Sequence, residues 1–360
     1  MLWFVLTTGA CNLRCRYCGG GFPAEYSPPR PLYRAEELVE TIARLDPDPV
    51  VFFYGGEPLL NPRLIMEVMD LLPGARYGIQ TNGLLYRRLP EEYWARFSRV
   101  LLSIDGVEKV TDKWRGRGVY RRVLEALGFL LELRRRRGGP RVLVARMAAT
   151  RDTVIDRDVL HLLGLGFDKA HWQLDAVWSE PWPLGEWARG IYLPGLRRLA
   201  EWVARRPWER LSRVAPFHGI VSALYSGGYR WYPCGAGRGA VAVNTDGRIL
   251  ACPIAVREQW AVLGRLGEWS GRLAPSSMLP ERCRRCSYLP LCGGRCLYAQ
   301  LESDYWPREL LEELDRVTRR TIDIVLSVVV PAVERAVEKG LMSPGDVFYD
   351  PLEESTEVIP

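Results

Sequence analysis

Three of the nine cysteines stand together near the start of the chain, in Cys11-Asn12-Leu13-Arg14-Cys15-Arg16-Tyr17-Cys18, and the other six lie from Cys234 to Cys296. An odd number of cysteines spread over 360 residues does not describe a small disulfide scaffold. The chain opens on Leu2-Trp3-Phe4-Val5-Leu6 with no basic segment before it, so no signal peptide is visible and a cytoplasmic location is expected. Close-set thiols in such a chain read as metal or redox chemistry.

The surroundings of these cysteines decide the fold class. Strand-like runs recur at Leu2–Thr7, Val50–Tyr54, Arg76–Thr81, Val100–Ile104, Arg141–Met147 and Ala170–Leu174. Helix-period segments fall between them at Ala35–Leu45, Arg63–Leu72, Glu91–Phe97, Val119–Arg137 and Val154–Leu163. Strands alternating with helices build parallel α/β sheets. Six units fall short of the eight of a closed barrel, so a partial, open (β/α)6 barrel is expected over residues 1–214. The pattern then changes. Val241–Val243 and Arg248–Ala251 flank Asn244-Thr245-Asp246-Gly247, a hairpin signal, and a Cys-rich loop segment follows. A small Cys-rich α+β domain is expected over 215–305, a C-terminal helix over 306–340 with a kink at Pro331, and an acidic surface tail over 341–360.

Composition removes several classes. Hydrophobic residues at 48% and charged residues at 26% are ordinary for a globular protein. The longest apolar stretch, Ile324–Val333, is too short for a bilayer and contains Ser327 and Pro331. The net charge of +6 comes from a basic set that is arginine except at Lys109, Lys113, Lys169 and Lys339. That bias follows genome composition as readily as anion recognition, and charge alone argues weakly for nucleic acid. Arg134–Arg137 close a helix before Gly138-Gly139, where cations interact favourably with the helix dipole, so they read as a solvated cap.

The first cysteine set follows the first strand. Ligands collect at the carboxyl ends of strands in α/β sheets. Thiolates suit zinc or iron–sulfur centres. Three of them can hold three irons of a four-iron cluster and leave the fourth open to a substrate or cofactor. Zinc is the alternative, but its knuckles pair two C-x2-C units, and this triplet lacks that form. Gly55-Gly56-Glu57-Pro58 follows the second strand, Thr81-Asn82-Gly83 the third and Ser103-Ile104-Asp105-Gly106 the fourth. Taken singly, each is a polar strand-end turn.

Taken together, these segments resemble the radical S-adenosylmethionine (SAM) family. The resemblance implies that Cys11, Cys15 and Cys18 hold a SAM-binding 4Fe–4S cluster. It implies that Gly55, Gly56, Glu57 and Pro58 receive the methionine end of SAM. Asn82 is placed with them, Ser103 with Asp105 or Gln80 at the ribose, and Tyr17 near the adenine. Arg146 resembles an arginine that contacts the SAM carboxylate, a salt-bridged strand arginine being the plain alternative. The implied chemistry is reductive cleavage of SAM to methionine and a 5′-deoxyadenosyl radical, which abstracts hydrogen from an unactivated carbon.

The second set reads Cys234-x12-Gly247-x4-Cys252, then Cys283-x2-Cys286-x5-Cys292-x3-Cys296. It is similar to the SPASM auxiliary-cluster domain attached to many radical SAM enzymes. The resemblance implies one cluster on Cys234, Cys252 and Cys296 and a second on Cys283, Cys286 and Cys292, with two zinc sites as the alternative. Two departures stand out. No seventh cysteine follows Cys296, and Asp315 sits near where it would fall, as a candidate oxygen ligand or a solvated helix acid. Pro253 follows Cys252, where similar sulfatase-maturing enzymes place an acid that accepts a proton.

The opening of the chain most resembles an archaeal group of peptide-modifying radical SAM enzymes. A peptide or protein substrate and an external low-potential donor such as ferredoxin or flavodoxin are therefore expected, with no membrane partner. No separate peptide-clamp domain is visible before the first strand. A maturase of a porphyrin or another small molecule would share the same motifs, and a non-catalytic electron-transfer protein would share the cysteines. His171, Trp172, Gln173 and Asp175, with Trp178, Trp182 and Trp187 after them, are candidates for contacting substrate, against plain packing. No residue is singled out as the catalytic acid or base.

Overall fold

A computed structural model describes residues 1–176, 179–302, 306–350 and 360. Its strands are β1 (Leu2–Thr8), β2 (Val50–Gly55), β3 (Arg76–Thr81), β4 (Phe97–Ser103), β5 (Val142–Ala149), β6 (Lys169–Leu174), β7 (Ala240–Val243), β8 (Arg248–Leu250) and β9 (Val262–Arg265). The six expected strands are present, with helices between them as the α/β reading requires. The chain forms two compact units. The first comprises Met1–Ile104, Thr111–Val144 and Gly235–Ser276; the second comprises Asp105–Val110, Ala145–Cys234 and Ser277–Pro360.

The first unit is an open sheet in the order β4-β3-β2-β1-β7-β8-β9. β1 to β4 are parallel, and β7 pairs parallel with β1, from Leu2 opposite Ala240 to Val5 opposite Val243. The expected hairpin forms, with Asn244 donating its N–H to the Arg248 carbonyl at 2.9 Å. β9 then adds antiparallel to β8. Every residue of β1 is buried, which is why Leu-Trp-Phe-Val-Leu-Thr-Thr runs apolar without alternation: helices or loops cover both faces. Trp3 meets Trp269 edge-on at 5.7 Å, and its indole N–H donates to Asp46 at 2.9 Å. Phe53 stacks on Tyr77 and meets Phe97 edge-on. Each such buried ring contributes roughly 2–3 kcal/mol by area. The helix expected to reach Phe97 stops at Trp94, because Phe97 is claimed by β4 and packs on Trp94 and Phe53. Arg136 pairs with Glu91 at 2.9 Å, and Arg135 pairs with Glu132, so the arginine run is a charged helix end held by acids.

The second unit holds β6, the end of β5 and most of the helices. Its long C-terminal helix runs Arg308–Ile324, widens into a π turn at Val325–Val329 and resumes at Val330–Glu338. Pro331 stands in the first turn of the last segment, so its missing N–H is absorbed where the wide turn has already interrupted the ladder. Trp172, Trp182 and Trp187 are core residues. Their indole N–H groups donate to Tyr192 Oη, the Asp175 carbonyl and the Thr153 carbonyl. Trp187 stacks on Tyr192 at 4.9 Å. His171 is fully buried and Asp175 nearly so. Trp178 lies outside the described residues. Among the described residues, no helix is long and apolar enough to cross a membrane.

Candidate active site

The N-terminal cysteine loop leaves β1 at Thr8 and is held on three sides by its own unit. Thr8 accepts from the Gly56 N–H at 3.0 Å, and Ala10 accepts from the Glu57 N–H at 2.9 Å. Gly9 donates to the Pro28 carbonyl, and Arg16 donates to the Trp114 carbonyl at 2.9 Å. Gly55 and Gly56 are glycine for a steric reason. Gly55 has φ of 129°, and a Cβ on it would run into the Thr8 carbonyl; a Cβ on Gly56 would run into the Ala10 carbonyl. The end of β2 thus lies directly against the chain that carries Cys11.

Glu57 is the brace of this arrangement. Its side chain is buried and accepts from Thr81 Oγ1 at 2.6 Å, the Asn82 N–H at 2.8 Å and the Leu59 N–H at 3.0 Å. Burial pushes its carboxyl up to about 7, against those three hydrogen bonds. Asn82 donates from Nδ2 to Asn12 Oδ1 at 2.8 Å, tying the end of β3 to the residue after Cys11. Carboxylate, threonine and two asparagines therefore fix the ends of β1, β2 and β3 relative to one another.

Inside the loop, Cys15 is buried, and Cys11 and Cys18 are half-buried. Cys15 accepts through its carbonyl from the N–H groups of Cys18 and Gly19. The hydrogen bond with Cys15 pulls the Cys18 thiol down to about 6 despite burial, and the Arg115 charge pulls the same way. Burial raises Cys11, and the negative charges of Glu57 and Cys18 add to that. Tyr17 stacks on Trp114 at 6.2 Å, and the Arg115 guanidinium lies over the Tyr17 ring at 5.5 Å from its centre. Trp114 and Arg115 were not marked by the sequence: they lie about a hundred residues away, in a short polar helix, Glu108–Arg115. The donors of the loop are three thiols of one kind, the soft set that suits an iron–sulfur cluster. Among the described residues, no three His, Cys, Asp or Glu side chains converge as a single-ion site.

The remaining expected SAM-site residues divide between the units. Gln80, half-buried on β3 opposite Leu101, and Ser103, buried at the end of β4, belong to the first unit. Asp105 and Arg146 belong to the second, where the buried Asp105 carboxylate accepts from the Ala148 N–H at 2.9 Å.

The second cysteine set also divides. Cys252 lies in the first unit, and Cys234, Cys283, Cys286, Cys292 and Cys296 lie in the second. Cys283, Cys286 and Cys292 line one pocket of the second unit together with Asp315. Burial pushes the Cys283 thiol up to about 11; Arg282 opposes this, while Cys292, Asp315 and Cys286 push the same way as burial. Tyr288 fastens the loop to the helix Arg308–Ile324 by donating to Asp323 Oδ1 at 2.8 Å. None of the nine cysteines is in a disulfide.

Residues 5–160 match the family model of the Radical SAM superfamily. The mycofactocin maturase MftC of Mycolicibacterium smegmatis is 24% identical over 331 residues, covering 81% of this chain and 77% of the maturase. Among solved structures, anSMEcpe with bound AdoMet and the Cp18Cys peptide aligns with a TM-score of 0.64 at 18% identity, over 91% of this chain and 99% of that one. Streptococcus suis SuiB bound to the precursor peptide SuiA aligns with a TM-score of 0.55 at 13% identity, over 82% and 71%. These structural likenesses establish the fold: an α/β partial barrel of the radical SAM type.

Proposed function

We propose that this enzyme, which carries a radical SAM domain over residues 5–160, cleaves SAM reductively and modifies a peptide or protein by hydrogen abstraction. The observation that carries the reading is the loop of Cys11, Cys15 and Cys18 locked to the end of β2 through Gly56 and Glu57. A four-iron cluster bound to those thiolates supplies one low-potential electron and an open iron for the amino and carboxylate groups of SAM. The chain's own part is positional. Glu57 and Asn82 keep the strand ends in register, so the cysteine loop cannot drift from the Gly55-Gly56 turn. Tyr17, backed by Trp114, offers an aromatic surface beside the cysteines for the adenine. Gln80 and Ser103 of the same unit are further proposed SAM contacts, and for Asp105 and Arg146 the role in SAM binding rests on the sequence resemblance alone.

On the sequence resemblance, residues 1–214 are the SAM-cleaving module and 215–305 the auxiliary one, with an auxiliary cluster on Cys283, Cys286 and Cys292 of the second unit; a cluster on Cys234, Cys252 and Cys296 rests on that resemblance alone. A peptide substrate is supported by the maturase relative and by the two neighbours of this fold that hold peptides. The opening segment's likeness to archaeal peptide-modifying enzymes points the same way. An external ferredoxin or flavodoxin supplies the electron, and the thiol-rich chain works in the reducing cytoplasm.

Anaerobic reconstitution tests the reading. The reduced protein is expected to form 5′-deoxyadenosine from SAM, and a co-expressed peptide to change in mass. Cys15→Ala should abolish 5′-deoxyadenosine formation. A fully loaded, reduced protein that leaves SAM intact overturns the proposal.

A further inference from the structure

Three thiols and one carboxylate line the pocket of the second unit. Cys283, Cys286 and Cys292 come from the segment after Pro280, and Asp315 comes from the middle of the helix Arg308–Ile324. Asp315 is the only acid among the residues lining this pocket. It shares a helix face with Thr318 and Arg319, three and four residues on, and both also line the pocket. That face is held in place independently. Tyr288 bonds to Asp323, and the Arg319 guanidinium lies over the Tyr288 ring at 5.8 Å.

The neighbouring cations do not claim the carboxylate. Arg316 turns away to Glu313 at 2.6 Å, and Arg319 is over Tyr288. Among the described residues, Asp315 has no hydrogen bond or ion pair, although it feels the same local field as Cys283 and Cys292. Arg282, Arg295 and Arg319 also line the pocket, yet the set of potential ligands it gathers is three thiols and one carboxylate, sulfur and oxygen donors that suit a metal centre. A four-iron cluster offers one outward position on each iron. Three thiolates fill three of them, and a carboxylate oxygen is a competent donor to the fourth.

We propose that Asp315 is the fourth protein ligand of a four-iron cluster held by Cys283, Cys286 and Cys292. The inference rests on the auxiliary cluster proposed above for those cysteines. It carries a chemical signature. One iron is held by a hard oxygen and three by soft sulfur, so the oxygen-held iron leaves first on oxidation. Ferricyanide removes one electron from the oxidised-resting cluster; one Fe2+ then departs from Asp315, and a three-iron core stays on the cysteines.

The test uses the full chain, reconstituted anaerobically, with Cys11, Cys15 and Cys18 replaced by Ala so that the SAM-site cluster does not contribute. Iron per chain and the three-iron electron paramagnetic resonance signal are measured before and after ferricyanide. Asp315→Ala should hold about one iron fewer, or show the three-iron signal before any oxidant is added. Asp315→Cys should keep the full iron and release about one iron fewer on oxidation than its parent. If both variants match the parent in iron content, signal and oxidation, Asp315 is not a ligand. A variant lacking Cys283, Cys286 and Cys292 separates the two ideas. A loss of about four irons there, with silent Asp315 variants, removes only the aspartate assignment. No loss of iron there removes the cluster itself, and the inference with it.

Discussion

Glu57 is the residue whose chemistry is most altered by its setting. Its carboxyl sits at about 7 in the folded chain against an ordinary 4.5, because burial outweighs three hydrogen bonds. The native state therefore holds this proton more tightly than the unfolded chain. Its contribution to stability is greatest below pH 4.5 and is lost as pH rises through about 7. Denaturant titrations of the wild type and Glu57→Gln at pH 5 and pH 8 check this. The balance should move toward the variant by up to about 3 kcal/mol at the higher pH; an equal difference at both values refutes it. At this scale the sequence was informative about identity and less so about role. The Gly55-Gly56-Glu57-Pro58 segment marked the site, but nothing local showed that the Glu57 side chain would turn to Thr81 and Asn82 on the next strand. Arg115 was invisible for the same reason: its influence on Cys18 depends on a fold that brings distant segments together.

Elements with a continuous apolar run were legible, and those defined by partners were not. β1 and β2 announce themselves as Leu-Trp-Phe-Val-Leu and Val-Val-Phe-Phe, since both faces are covered. The helix Glu108–Arg115 went unmarked because, of the four residues Glu-Lys-Val-Thr-Asp-Lys-Trp-Arg buries, only Val110 and Trp114 are apolar, Thr111 and Arg115 being polar. β9, Val-Leu-Gly-Arg, is too short and too exposed to stand out, and it exists because β8 offers it an edge. Asp315 was reached only by counting on from Cys296; the helix that aims it at the cysteines supplies what the count lacked. The turn after β2 gives a direct test. Gly56→Ala places a methyl on the Ala10 carbonyl, so the cysteine loop must move. The variant should fold, lose iron from the N-terminal site on purification, and form 5′-deoxyadenosine at least about tenfold more slowly, since a small misplacement of a bound reactant is costly. Unchanged iron and rate would show that the loop tolerates the shift.

The whole chain is less a string of domains than two bodies assembled from interleaved segments. The first takes residues from both ends of the first 276 positions, and the second takes the intervening stretches and the C-terminal part. The composition and cysteine spacing could indicate what chemistry the chain performs, but not this interleaving, because pairing of β1 with β7 leaves no local trace in either segment. Clusters that join separate segments should act as staples. Stripping iron with a chelator under anaerobic conditions is expected to lower the unfolding temperature by about 5 °C or more, and reconstitution to restore it. An iron-free protein that melts with the loaded one would deny the clusters that part. The same β1–β7 pairing bears on how the molecule comes to be made. As the chain leaves the ribosome, β1 can gain β2 early, yet its other edge waits for Ala240–Val243. Until then a strand that opens on five apolar residues stands with one row of amides and carbonyls open to any passing strand. Newborn copies are thus most prone to stick to one another before the polypeptide has passed its two-hundred-and-fortieth residue, and slow translation or a premature stop there would favour aggregates over enzyme.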